Sequence, residues 1–334
     1  METRSVSGAV QEGQTGNGHI LVVGHPVAKS VTPHFHHSVF QFLGIKWSVS
    51  LLDTTDPADL QAVMAKPGFR GAAVSLPLKD AVAPLLNRVE KDAQILGSVN
   101  TIFVRQIENI VSGKKENELV GGNSDWRGMQ SCISAASLAG DRSGRDMVHD
   151  SNDGNSSKTG LVVGSGVLSS TAVYAIVVGL GVRNIYLAGC PEEHANTVNG
   201  MLEAADYAAE TKVTRLTSEE EARTCKGESH VIIHAARASP AGDDSKGQQS
   251  QRIAEHFLAQ RSPGTQPRIL LDMAFNGKDE TELTIVARNA GWQTLSFLDF
   301  MAHQAIRQNA YWTGASPESF PSITRCREIL EEGT

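Results

Sequence analysis

The chain has 334 residues, 40% of them hydrophobic, with 30 Lys and Arg against 37 Asp and Glu for a formal charge of −7. At roughly 150 residues per domain this length predicts two domains, and no basic run is long enough to track a nucleic acid backbone. The longest nearly apolar stretch, Ala172 to Val182, contains two glycines and stops at Arg183, short of the ~20 residues that a membrane-spanning helix needs.

Met1 to Gly18 is rich in Gly, Ser, Gln and Glu and lacks the apolar run of a secretory signal, so it reads as a loose tail. Cys132, Cys190, Cys225 and Cys326 form no CxxC pair. Reduced thiols and cytoplasmic residence are the expectation. From His19 onward, short β-type runs alternate with amphipathic stretches, the pattern of an α/β fold with parallel strands and helical crossovers. His19 to Gly24 is the first strand. Thr32 and Pro33 then supply an N-cap and a first-turn proline for a helix carrying Phe35, Val39, Phe42 and Leu43. Trp47 to Leu52 is the second strand, Asp56-Pro57 opens a helix that Pro67-Gly68 ends, and Gly71 to Leu76 is the third strand.

Asp141 to Gly160 has almost nothing to bury and reads as a polar surface insertion near a domain junction. Beyond it come a strand at Gly160 to Val163, a Gly164-Ser165-Gly166 turn, a helix through Ala172, Val173 and Ile176, and a strand at Asn184 to Ala188. Further strands fall at His230 to His234 and Arg268 to Met273, with a polar loop between them at Ser239 to Gln251.

Gly164 and Gly166 stand where a nucleotide-binding turn places glycines, so that the backbone can approach a pyrophosphate at the following helix N-terminus. The third position of GxGxxG is Ser169. A dinucleotide site and a plain tight turn are both compatible with this pattern. After the next strand the sequence is Gly189-Cys190-Pro191-Glu192-Glu193, with no arginine to hold a 2′-phosphate and two acids that would repel one. NAD is therefore expected over NADP.

In the first half, Ser30 and Thr32 put hydroxyls at a helix N-terminus, which suits a carboxylate, although Thr32 could serve only as a cap. Lys79 lies just past a strand end, where α/β proteins bind ligands or where a surface lysine simply sits. Asp125, in Gly121-Gly122-Asn123-Ser124-Asp125, is either a site carboxylate or a helix cap. Pro33-His34-Phe35-His36-His37 reads as a helix segment divided between solvent and core rather than a metal site. Glu219-Glu220-Glu221 after Ser218 reads as a capping-box helix start, and Trp126 and Trp312 as packing residues.

These stretches resemble the shikimate/quinate dehydrogenase family. The matching segments are Gly24-His25-Pro26-Val27, Lys29-Ser30-Val31-Thr32-Pro33 with His36, Ala73 to Lys79, Gly97 to Thr101, Gly122-Asn123-Ser124-Asp125, Asp272-Met273-Ala274-Phe275 and Gln304-Ala305. They occur in family order between His19 and Gly314. The resemblance implies a substrate-binding α/β domain, residues 19–125 and 300–334, and a Rossmann-like NAD(P)-binding domain, residues 126–299, carrying the insertion at 141–160. It implies that Ser30 and Thr32 hold the carboxylate of a cyclic hydroxy acid, that Ser75, Asn100 and Gln304 bond ring hydroxyls, and that Phe275 stands where a substrate-touching Tyr is usual. It also implies that Lys79 and Asp125 are an acid-base pair serving hydride transfer to or from the nicotinamide.

Departures cluster at residues that would face the cofactor: the glycine loop keeps only Gly164, Ser165 and Gly166, with Val167 and Leu168 in place of the next small residues and Ser170 in place of the usual Arg, Gly189 and Cys190 stand in place of Asn-Arg, and Phe297 in place of a Gly. Two expectations follow. One is an active dehydrogenase of shikimate, quinate or their dehydro forms. The other is a ligand-sensing relative that binds the acid without turning over a cofactor, similar to the dehydrogenase-like domain of fungal quinate repressors.

Overall fold

Apolar strands separated by amphipathic helices build two six-stranded sheets, one in each of two units: Met1–Asp125 with Met301–Thr334, and Trp126–Phe300. The computed structural model describes residues 17–108, 113–140, 158–225, 229–235, 245–260, 267–274 and 280–333.

In the first unit the elements are β1 (Gly18–Gly24), α1 (Thr32–Phe42), β2 (Trp47–Asp53), α2 (Pro57–Met64), β3 (Phe69–Val74), β4 (Arg88–Val89), α3 (Lys91–Leu96), β5 (Thr101–Glu108) and β6 (Lys115–Gly122). The sheet order is β2-β1-β3-β5-β6-β4. β1 pairs in parallel with β2 and β3, whereas β5 runs antiparallel to both β3 and β6. Successive β1 residues point to opposite faces. Leu21 and Val23 pack with Leu60 and Met64 of α2, while Ile20 and Val22 pack with Phe40, Trp47 and Trp312. Burial on both faces is why β1 reads as a continuous apolar run rather than an alternating one.

Three boundaries differ from the sequence reading. β1 takes in Gly18, which pairs with Trp47, so the tail does not reach that far. β3 spans Phe69–Val74; beyond it the Ser75 N–H still donates to the Val23 carbonyl at 2.7 Å, but Pro77 has no N–H to carry the ladder on. The cap of α1 is Val31, with no side-chain cap bond, and Thr32 and Pro33 fill the first turn. Ser30 instead accepts the Thr32 backbone N–H at 3.3 Å, which leaves the Thr32 hydroxyl free of a capping role.

α4 (Asp125–Gly140) leads into the second unit: β7 (Thr159–Val163), α5 (Val167–Tyr174), β8 (Asn184–Ala188), α6 (Glu192–Ala204), β9 (Lys212–Leu216), α7 (Glu219–Thr224), β10 (Ser229–His234), α8 (Ser245–Ala259), β11 (Ile269–Asp272), α9 (Glu282–Asn289) and β12 (Gln293–Leu295). All its strands are parallel, in the order β12-β11-β10-β7-β8-β9. Numbered within the unit this is 6-5-4-1-2-3, the doubly wound dinucleotide-fold order, with its switch point between β7 and β10. The core joins Leu161, Val163, Ile232 and Leu270 to Ile253 and Phe257 of α8 and to Trp292.

The expected loop at 239–251 is in part a helix: α8 begins at Ser245, and its polar first turns precede the buried Ile253, Ala254, Phe257 and Leu258. The expected insertion at 141–160 lies outside the described residues up to 157, and its last two residues already belong to β7. α7 has its capping box, in which Ser218 Oγ accepts the Glu221 N–H and Glu221 reaches back to Thr217. α10 (Phe297–Thr313) and α11 (Ile323–Glu332) close the chain.

Candidate functional site

Strand directions gather the candidate residues at one edge of the first sheet. β1 and β3 run toward that edge in parallel and end at Gly24 and Val74. β5 is antiparallel to β3, so it starts there with Thr101 paired to Ala73, and β6 ends there with Gly122 paired to Thr101. The loops holding Ser30, Ser75, Lys79, Asn100 and Asp125 therefore emerge at the same end. Gly24, at φ 149°, turns so close to the next loop that a Cβ would lie 2.7 Å from the Leu76 carbonyl oxygen.

Lys79 sits in a single 3₁₀ turn, Leu78–Asp80, held where the Val99 N–H donates to its carbonyl at 2.7 Å. Its Nζ donates to Asp125 Oδ2 at 2.6 Å, and the two side chains are 17% and 7% exposed. Asp125 opens α4, and its own N–H is taken by the Asn123 side chain, so it is not itself the cap. Its second oxygen, Oδ1, accepts from Asn100 Nδ2 at 2.7 Å. Asn100 also bonds Ser124 and Thr101: Nδ2 donates to Ser124 Oγ at 2.9 Å, and Oδ1 accepts the Ser124 N–H at 2.7 Å and the Thr101 hydroxyl at 2.9 Å. Gln304, on α10, donates to the same Ser124 hydroxyl at 3.0 Å.

The structure thus brings Lys79, Asp125, Asn100 and Gln304 into one network, with Asn100 and Gln304 nearly fully buried. Ser75 is half-buried at the end of β3. Ser30 and Thr32 share a bond, Ser30 Oγ donating to Thr32 Oγ1 at 2.9 Å, beside the first turn of α1. Asp53, at the end of β2, ties down the loop before them: it pairs with His25 Nδ1 at 2.6 Å and accepts the Val27 N–H at 3.2 Å. These bonds hold its carboxyl below the ordinary carboxylate range. Phe275 lies outside the described residues.

Ser124, Thr101, Gln308 and Asp53 escaped the sequence reading. Ser124 and Thr101 lie within matching motifs, but nothing in the sequence marks their bonds. Gln308 had a legible signal, being one helical turn past Gln304 and so on the same face. Nearby, His36 is wholly buried against Phe35, Phe40 and Trp312 and receives Asn309 Nδ2 at 3.0 Å. Burial drives its pKa down to about 3, against the opposing amides of Asn309 and Gln308. It is a neutral core residue, while His34 and His37 face solvent.

In the second unit the turn after β7 has Gly164 at φ 124° and Gly166 at φ 83°, and Gly166 caps α5 with no side-chain cap bond. A Cβ on Gly166 would meet nothing within 4 Å. An open backbone at an uncapped helix N-terminus fits a pyrophosphate. Gly164, Ser165, Gly166 and Val167 are the residues that would hold it. Ser169 is buried and donates to the Gly164 carbonyl at 3.2 Å, bonded in turn to His194 Nε2 at 3.0 Å, so a hydroxyl brace stands at the third glycine position.

Gly189, at φ 71°, turns tightly against Ser250, where a Cβ would lie 2.9 Å from the serine Cβ. The segment 189–193 itself holds no arginine, but sheet order brings Arg215 on β9 beside Leu187, and its charge acts on the Cys190 thiol. Burial outweighs that charge and pushes the thiol's pKa up. Phe297 is half-buried at the start of α10, its ring 6.0 Å from that of Phe300. Asp272, at the end of β11, accepts from Thr284 Oγ1 at 3.0 Å and from Thr281, and pairs with His234 at 2.9 Å.

Fold and site together define an α/β protein with an N-terminal substrate-binding domain and a parallel-sheet, Rossmann-like domain. More particularly, residues 22–102 match the family model of the shikimate dehydrogenase substrate binding domain. The fold is that of solved shikimate and quinate dehydrogenases. The dehydroquinate dehydratase and shikimate dehydrogenase from S. pombe AroM is 23% identical with a TM-score of 0.72, over 95% of this chain and 53% of that one. The present chain therefore spans about half the length of that solved chain. The Corynebacterium glutamicum quinate dehydrogenase in complex with NAD is 21% identical with a TM-score of 0.69, over 95% of this chain and 100% of that one. The Listeria monocytogenes shikimate 5-dehydrogenase in complex with shikimate and NAD is 22% identical with a TM-score of 0.69, over 96% and 99%. Among the described residues no helix is long and apolar enough to cross a membrane.

Proposed function

We propose that this chain is an oxidoreductase of the shikimate/quinate dehydrogenase type, transferring hydride reversibly between a nicotinamide cofactor and a ring hydroxyl or ketone of a cyclic hydroxy acid. The observation that carries this reading is the Lys79–Asp125 pair at 2.6 Å with Asn100 on the other carboxylate oxygen. Carbonyl reduction needs a proton at the oxygen, and alcohol oxidation must remove one. The Lys79 ammonium supplies that proton in reduction and its neutral amine accepts it in oxidation. Asp125 fixes the Lys79 nitrogen and can accept the substrate hydroxyl. Ser30, Thr32 and the N-terminus of α1 hold the acid's carboxylate, with Ser75, Asn100 and Gln304 toward the ring hydroxyls.

When bound at the Gly164–Val167 turn, NAD or NADP supplies or accepts the hydride. Glu192 and Glu193 favour NAD, whereas Arg215 offers a cation to a 2′-phosphate, so both cofactors belong in the assay. The altered glycine loop supports a second reading, in which the protein senses the acid without turnover.

The test is incubation of purified protein with shikimate or quinate and each cofactor, following reduced nicotinamide, alongside calorimetry with each acid. Turnover supports the enzyme. Acid binding with no turnover under any combination supports the sensor, and no acid binding at all contradicts both.

A further inference from the structure

We propose that Thr101 and Gln308 are positioning residues that set the geometry of the acid-base pair through Asn100; this rests on the reading of Lys79 and Asp125 as that pair. Gln308, on α10, is buried, and its amide nitrogen donates to the Asn100 carbonyl oxygen at 3.1 Å and to Thr101 Oγ1 at 3.2 Å. An amide N–H only donates, so Gln308 makes Thr101 an acceptor on that side. The single Thr101 proton is then left for the sheet edge, where Asn100 Oδ1 lies 2.9 Å and Ser124 Oγ 3.1 Å from Oγ1; Ser124 Oγ already accepts from Asn100 Nδ2 and from Gln304, so the proton goes to Asn100 Oδ1.

Asn100 Oδ1 thereby receives the Thr101 hydroxyl beside the Ser124 N–H at 2.7 Å and the Ser124 hydroxyl at 3.2 Å. With its oxygen so held, its Nδ2 faces Asp125 Oδ1 and Ser124 Oγ, and both amide protons are used. Asp125 is left to offer Oδ2 to Lys79. A donor on a C-terminal helix thus reaches a carboxylate three hydrogen bonds away, and every intermediate group is buried.

Substitutions that keep shape but remove polarity separate positioning from packing. Thr101→Val removes the hydroxyl, Gln308→Met removes the donor at similar volume, and Thr101→Ser keeps the hydroxyl. Nitrogen-edited NMR of the Asn100 side-chain amide needs no ligand and no turnover. Wild type and Thr101→Ser are expected to share the same two slowly exchanging proton resonances, whose shifts move and whose exchange with solvent quickens in Thr101→Val and Gln308→Met. In turnover, kcat is expected to fall roughly tenfold or more while KM for the acid moves far less, since small misplacements of reacting groups cost rate steeply.

An unchanged Asn100 amide in both Thr101→Val and Gln308→Met overturns the proposal, and so does an unchanged kcat. If Thr101→Val does not fold, Gln308→Met decides alone. Failure of the underlying reading looks different: Lys79→Ala retains turnover while the Asn100 amide behaves as described.

Discussion

At the scale of single residues, the site depends on a short, nearly buried ion pair whose second carboxylate oxygen is also bonded. Asp125→Asn keeps the shape but removes the charge that holds the lysine, and it is expected to lower turnover by roughly 10²–10⁴. Steady-state kinetics checks this, with acid binding by calorimetry changing less than rate. His36 gives a separate prediction through pH. Its folded pKa of about 3 lies below the ordinary value of 6.5, so the unfolded chain takes up the proton first. Stability from this residue is present above about pH 6.5 and is lost as pH falls toward 3, by at most about 1.4 kcal/mol per pH unit. Urea unfolding at a series of pH values should show a shallower acid-side slope in His36→Gln than in wild type; parallel slopes would refute the assignment.

At the scale of elements, strands were the most legible part of the sequence, because β1, β3 and β7 are apolar on both faces and bounded by glycine or proline. The start of α8 was hidden since its first turns are polar, and only the later Ile253 and Phe257 bury. The cap of α1 shifted by one residue because Ser30, two residues before Thr32, takes the backbone N–H. Lys79 and Asp125 were legible from strand ends and motifs. The bond between Asn100 and Asp125 was not, since 25 positions separate them and only the antiparallel β5–β6 pairing joins them. Arg215 was missed for the same reason, its place beside Leu187 being set by sheet order alone.

Two element-scale predictions follow from backbone geometry. Gly166→Ala puts a Cβ at φ 83°, a strain of roughly 1–2 kcal/mol, and should weaken dinucleotide binding without changing acid binding, as calorimetry would show. Gly71→Ala places a Cβ 2.4 Å from the Ile102 carbonyl oxygen and from Trp312 Nε1. It should destabilise the protein by about 1–3 kcal/mol or more, read by denaturant unfolding.

At the scale of the whole molecule, a chain of net charge −7 would hold its proposed acid substrate by helix-end hydroxyls, a lysine and backbone N–H groups rather than by overall basicity. The segment from Met301 onward belongs to the same unit as Met1–Asp125. It brings Gln304, Gln308 and Trp312, spaced by four on one helix face, to Ser124, Thr101 and Ile102. Deleting residues 301–334 should therefore remove acid binding altogether, whereas in the intact protein an acid at a hundred times its Kd should add about 2.7 kcal/mol to stability. Thermal unfolding with and without shikimate or quinate measures both effects.

The central claim, that Lys79 and Asp125 move the proton of a cyclic hydroxy acid, is tested most directly by comparing wild type with Lys79→Ala. Formation of reduced nicotinamide would be followed from shikimate and quinate with NAD and with NADP. The account predicts turnover by wild type in at least one combination and its loss in Lys79→Ala, with the fold intact by circular dichroism. Wild-type rates in Lys79→Ala, or no turnover by wild type in any combination, would contradict it.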